Sequence, residues 1–233
     1  METGRPRPGQ TNAPAAHGLG SGRLQPNPRY CPEIEPPSIY AENLKAMIER
    51  NGGKTFLAGW SLGGMIALET AINWPDLVAG LILISSTPKF CRDKNWPAGA
   101  PASALRAMLG GLKRNPGGVF EAFFRNVTTF SRNADSAVET RTESACAMDL
   151  RELAYGLEYL RDRDFREAAK KLVVPALILH GGRDSVVNAE AAHKMNRLLA
   201  NSRLRVYDAA GHDLPSQDPQ QVADDMMNFM EKR

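Results

Sequence analysis

The sequence predicts a mainly parallel α/β sheet interrupted by a helical insertion. Short apolar runs alternate with helical patterns along most of the chain. A Gly-x-Ser-x-Gly motif sits where one such run meets a helical pattern. Residues 86–170 break the alternation, being helical and more charged.

Each element follows in order. Residues 1–37 are rich in Pro, Gly, Asn and Arg, and read as an irregular or disordered segment. Ser38 is expected to cap a helix through Tyr40 to Glu49, with Leu44, Met47 and Ile48 on one face and Asn51-Gly52-Gly53 as its stop. A strand over 55–59 leads into the motif, and a helix over 63–73 leads out. The unbroken apolar run Ala79-Gly80-Leu81-Ile82-Leu83-Ile84-Ser85 predicts a strand buried on both faces. Residues 86–170, with Phe120, Phe123 and Phe124, read as a helical cap. Strand 175–180, helix 189–200, strand 204–208 and an amphipathic helix from Pro219 complete the alternation. The core is thus expected at 38–85 and 171–233, with the cap between.

Bulk properties narrow the function. A chain of 233 residues with 42% hydrophobic content suffices for one large domain or a domain with an inserted cap. A net charge of +3 does not favour nucleic acid as a partner. Every apolar run falls short of the ~20 residues a membrane helix needs, so no membrane partner is expected. No apolar N-terminal leader is visible. Three scattered cysteines, Cys31, Cys91 and Cys146, suit a reduced cytoplasm. No Cys or His spacing suggests a metal, and no cofactor is expected.

The chemistry centres on Gly59-Trp60-Ser61-Leu62-Gly63-Gly64. A serine on a sharp strand-to-helix turn exposes its hydroxyl, and the flanking glycines leave room for strand and helix to pass. The first helical turn aims amide N–H groups, Leu62 first, at any oxyanion formed beside Ser61. Ser61 needs a base. Of four histidines, His193 reads as a surface residue, His180 as a packed or hydrogen-bonded core residue, and His17 lies in the irregular segment. His212 sits in the small-residue loop Ala209-Ala210-Gly211-His212-Asp213 after the last strand. Loops at the carboxyl ends of parallel strands face the ligand crevice, so His212 is the expected base. Asp184, in Gly181-Gly182-Arg183-Asp184-Ser185, reaches the same rim and is the expected acid. Capping a turn is the alternative role for that residue. Asp208 and Asp213 are too near His212 in sequence to face it across a crevice.

The order Ser61, Asp184, His212 is that of the α/β-hydrolase fold, and the chain resembles that superfamily from about residue 38 onward. Within it, the motif, the run Ser85-Ser86-Thr87-Pro88-Lys89-Phe90 and Asp93-Lys94-Asn95-Trp96-Pro97 are similar to the pimeloyl-acyl-carrier-protein methyl ester esterases of biotin synthesis. The resemblance implies a serine carboxylesterase acting on an acyl ester held on acyl carrier protein. It also implies an acyl pocket lined by Trp60, Val186 and Phe123, a plain core aromatic being the alternative for Phe123. Basic residues of the cap would hold the acidic carrier, with no single one assigned among Arg106, Lys113, Arg114, Arg125, Arg132 and Arg141; a solvated helix face is the alternative. One departure stands out. The family's opening strands and their His-Gly oxyanion loop have no counterpart, because His17-Gly18-Leu19-Gly20-Ser21 looks like a later glycine-rich loop. The fold is therefore expected to lack its N-terminal strands, leaving Leu62 as one oxyanion donor. The triad alone equally serves a thioesterase, a lactonase or a C–C hydrolase. A truncated, non-catalytic binding protein is the non-enzymatic alternative. Ser61 stands where dehalogenases and epoxide hydrolases carry aspartate, which disfavours both.

Overall fold

A computed structural model describes residues 36–232. The expectations for residues 1–35, including His17-Gly18 and the missing opening strands, lie outside the described residues. The elements are α1 (Pro36–Arg50), β1 (Thr55–Trp60), α2 (Leu62–Asn73), β2 (Val78–Ile84), α3 (Ala102–Leu112), α4 (Pro116–Val127), α5 (Ala134–Cys146), α6 (Leu150–Asp162), α7 (Arg166–Ala169), β3 (Ala176–Gly181), α8 (Ala189–Leu198), β4 (Ser202–Tyr207), α9 (Leu214–Gln217) and α10 (Pro219–Glu231). The first helix begins two residues before Ser38, which is therefore helical rather than its cap. Proline suits that first position, since its missing N–H would have no helical partner there.

Among the described residues the sheet has four strands in the order β1-β2-β3-β4, all parallel. Register runs Leu57↔Leu81, Leu83↔Ile178 and Ile178↔Leu204 across it. Side chains alternate between two apolar layers. Leu57, Leu81, Leu83 and Ile178 pack with Met65 and Leu68 of α2 and with Ala192 and Met195 of α8. Ile82, Ile84, Leu177 and Leu179 pack on the other side with Leu214 of α9 and with Val222 and Phe229 of α10. Helices cover both faces, which is why β2 and β3 read as continuous apolar runs. The last strand differs. Arg203 and Arg205 are exposed, so an alternating polar pattern moved its start from the expected residue 204 to Ser202.

Helices α3 to α7 fill the stretch between β2 and β3. A separate apolar cluster holds α3 to α6 together through Leu112, Phe120 and Ala145, with Phe124, Leu153 and Leu157 beside it. The far end of α6 belongs to the main core instead. Tyr159 is fully buried there, edge-on to Tyr40 of α1, and donates to Glu69 Oε2 of α2 at 2.8 Å. Arg163 completes the group 3.4 Å from Glu69. Burial pushes the Glu69 carboxyl above its ordinary range, against the opposing pull of Tyr159 and Arg163.

The loop after β2 is knotted around Trp96. Its indole N–H donates to Lys89 O at 2.9 Å, and its ring lies between Arg166 at 5.6 Å and Lys194 at 5.9 Å. Lys89, Asp93, Asp164 and Arg166 pair around it. The Trp-Pro motif thus locks the exit of β2.

Candidate active site

β1 delivers Ser61 at its carboxyl end. The residue adopts φ 54 and ψ −120, outside the comfortable range for a side chain with a Cβ. Three bonds hold it there. Its N–H donates to Ile84 O at 2.8 Å, and its carbonyl accepts from Gly64 N at 3.0 Å and Ser86 Oγ at 2.9 Å. Two glycines make the turn possible. A Cβ on Gly59 would overlap the Gly63 backbone, and one on Gly64 would lie 2.6 Å from Ser86 Cβ. Gly63, the second glycine of the motif, has nothing within 4 Å of such a Cβ. The close approach expected of the flanking glycines therefore falls on Gly59 and Gly64.

The loops after β3 and β4 bring Asp184 and His212 to this turn. Ser61 Oγ is 2.9 Å from His212 Nε2, and His212 Nδ1 is 2.8 Å from Asp184 Oδ2. A carboxylate only accepts, so Nδ1 carries the proton and Nε2 is free to accept from Ser61. Asp184 Oδ1 accepts from Val186 N and Val187 N, both at 2.8 Å. This is an Asx-type turn, so the capping role and the acid position coexist in one side chain. His212 and Asp184 are buried. A hydroxyl, an imidazole and an oriented carboxylate so linked can generate a serine nucleophile. Leu62 opens α2, and the first amides of a helix have no partner within it.

Trp60 is half-buried beside this relay. Its indole N–H donates to His212 O at 2.8 Å, and its ring centroid is 5.4 Å from that of His212. Val186 is half-buried in the small cluster of Trp96, Val187 and Ala191, and its N–H supports Asp184. Phe123 is half-buried on α4, 5.3 Å from Phe124, and none of its ring contacts among the described residues reaches the relay. The structure thus brings Trp60 beside His212 and Val186 beside Asp184, and sets Phe123 against Phe124.

Three further residues border the relay, and His180 is the buried, hydrogen-bonded core residue that the sequence predicts. His180 ends β3 fully buried, with Nε2 2.8 Å from Val187 O and 3.4 Å from Asp184 Oδ2. A carbonyl only accepts, so Nε2 carries the proton and donates toward the acid loop. Burial holds this imidazole below its ordinary pKa and keeps it neutral. Ser86 fixes the nucleophile's carbonyl, as above. Arg141 of α5 reaches in to Asp213 Oδ2 at 2.8 Å, next to the base. It is mostly buried, unlike the surface cation expected of a carrier-docking residue. Arg125 is likewise engaged, pairing with Glu121 at 2.8 Å on its own helix. Only tertiary contact reveals the Asp213 partner of Arg141, 72 positions away.

Comparison with known proteins agrees with this geometry. Residues 10–225 match the alpha/beta hydrolase family. Pimeloyl-[acyl-carrier protein] methyl ester esterase of Aliivibrio fischeri is 31% identical over 74% of this chain and 68% of its own length. The esterase of the same name from Aliivibrio salmonicida is 33% identical over 74% and 67%. Among solved structures, an esterase from Exiguobacterium antarcticum superposes with a TM-score of 0.79 at 23% identity, covering 84% of this chain and 74% of that one. On the strand order, the serine turn and these matches together, the chain belongs to the alpha/beta hydrolase family.

Proposed function

We propose that this protein is a serine carboxylesterase that cleaves the methyl ester of a pimeloyl chain carried on acyl carrier protein, as in biotin synthesis. The observation that carries the reading is the relay from Ser61 through His212 to Asp184, with 2.9 and 2.8 Å links. Ser61 attacks the ester carbonyl while His212 Nε2 takes its proton, and the same proton then leaves with methanol. Water repeats the cycle on the acyl-enzyme. Leu62 N–H donates to the oxyanion, and Trp60 borders the acyl chain. Residues 86–170 act as the cap over this site. The names of the relatives support the carrier-linked substrate, and the three scattered cysteines support a cytoplasmic location.

The test has two arms. A fluorophosphonate should add once to the wild type by intact mass and not at all to Ser61→Ala. Purified enzyme should then release methanol from methyl-pimeloyl-acyl carrier protein. Labelling that persists in Ser61→Ala sinks the serine assignment. Hydrolysis of simple esters without turnover of the carrier-linked one sinks the substrate.

A further inference from the structure

Arg141 is held from one side only. Its Nη2 donates to Asp213 Oδ2 at 2.8 Å and lies 3.3 Å from Ser216 Oγ. Its Nη1 is buried and has no hydrogen-bond partner among the described residues. A buried donor left unmade is costly, more so on a charged group. Tying α5 to the loop of His212 accounts for Nη2, but leaves Nη1 without a role. The surroundings suggest one. The guanidinium lies 6.0 Å from the Trp60 ring, and the His212 ring lies 5.4 Å from that same indole. The guanidinium and the His212 ring thus border the same indole, next to Ser61 in the chain.

We propose that Arg141 is a substrate-binding residue whose Nη1 donates to a second, uncharged carbonyl oxygen farther along the acyl chain of the bound ester. The inference rests on the serine esterase reading above and assigns a residue of this chain to the far carbonyl of its substrate. Charge selects the carbonyl. Asp213 already balances the guanidinium, so a carboxylate there would add an uncompensated negative charge near Asp213 and Asp184. An ester, thioester or amide carbonyl accepts without that cost. Reach selects the chain, because the first carbonyl is occupied at Ser61.

The experiment compares dimethyl heptanedioate with methyl heptanoate, which share a chain length and differ in the second carbonyl. Values of kcat/KM come from proton release by the wild type, Arg141→Lys and Arg141→Met. Lysine keeps a cation for Asp213 but lacks the second arm of the fork. The wild type should prefer the diester. In Arg141→Lys the preference should fall roughly ten- to a hundredfold, the weight of a hydrogen bond from a charged donor. Arg141→Met should lose at least as much, and thermal melting reports how far its unpaired Asp213 loosens the fold. A preference that survives in Arg141→Lys, whatever the absolute rates, overturns the proposal and leaves Arg141 as a tether. A wild type without preference overturns it too. A wild type that cleaves neither ester instead refutes the esterase reading on which the proposal stands.

Discussion

Replacing Asp184 with Asn tests the relay most sharply, because four N–H groups converge on two carboxylate oxygens. Val186 N and Val187 N donate to Oδ1 at 2.8 Å each. His212 Nδ1 lies 2.8 Å from Oδ2, and His180 Nε2 3.4 Å from it. An asparagine has one accepting oxygen. Two rigid backbone donors claim it, since the reverse orientation would set an NH2 against both. The NH2 then faces His212 and donates to Nδ1. That forces the other tautomer, with the proton on Nε2 and pointing at Ser61 Oγ 2.9 Å away. The base position is filled before the reaction starts. Turnover of a short p-nitrophenyl ester should fall on the order of 10⁴-fold. The same NH2 opposes the N–H of His180, a donor against a donor, costing roughly 1–3 kcal/mol. A melting point lower by about 2–10 °C follows for a chain of this size. A turnover within tenfold of the wild type would refute the acid assignment.

Four further outcomes follow from the packing. Gly59→Ala should destabilise by roughly 1–3 kcal/mol or more, because its Cβ would overlap the Gly63 backbone, while Gly63→Ala should melt at or above the wild-type temperature. The reverse order in thermal unfolding would refute the close-approach account. Tyr159→Phe removes the donor to buried Glu69 and should cost roughly 1–3 kcal/mol by denaturant titration. Burial already raises the Glu69 pKa above 4.5, so this loss should be larger at pH 8, where the carboxyl must ionise with Arg163 as its remaining partner, than near 4.5. His180 is held below the ordinary 6.5 by burial, so the unfolded chain takes up its proton first as pH falls. Its contribution is present above about 6.5 and lost below, and His180→Gln should flatten the decline of unfolding free energy there.

Much of the fold was legible because local and global preferences agree. All four strands lie within two residues of their expected positions, since apolar runs of that length between glycine and proline punctuation have few other fates. The serine turn was legible because close-packed backbone around a strained serine demands glycine, although the sequence could not tell that Gly64 and not Gly63 bears the contact. His212 and Asp184 were legible from position, as loops at the carboxyl ends of parallel strands share one rim. Phe123 was harder. An aromatic on an amphipathic helix looks the same whether it faces substrate or a neighbour such as Phe124.

The sequence by itself determined the parallel sheet and the serine turn, because each depends on residues close along the chain. Tertiary structure decided what each of them touches. His180 and Asp184 are four apart, yet their contact needs the turn to fold back through Val187. Arg141 and Asp213 meet across 72 positions, and nothing in either local stretch names the other. Periodicity and turn chemistry fix elements. Partnerships between buried polar groups are fixed only when the elements pack, because there each donor must find an acceptor or pay for its absence.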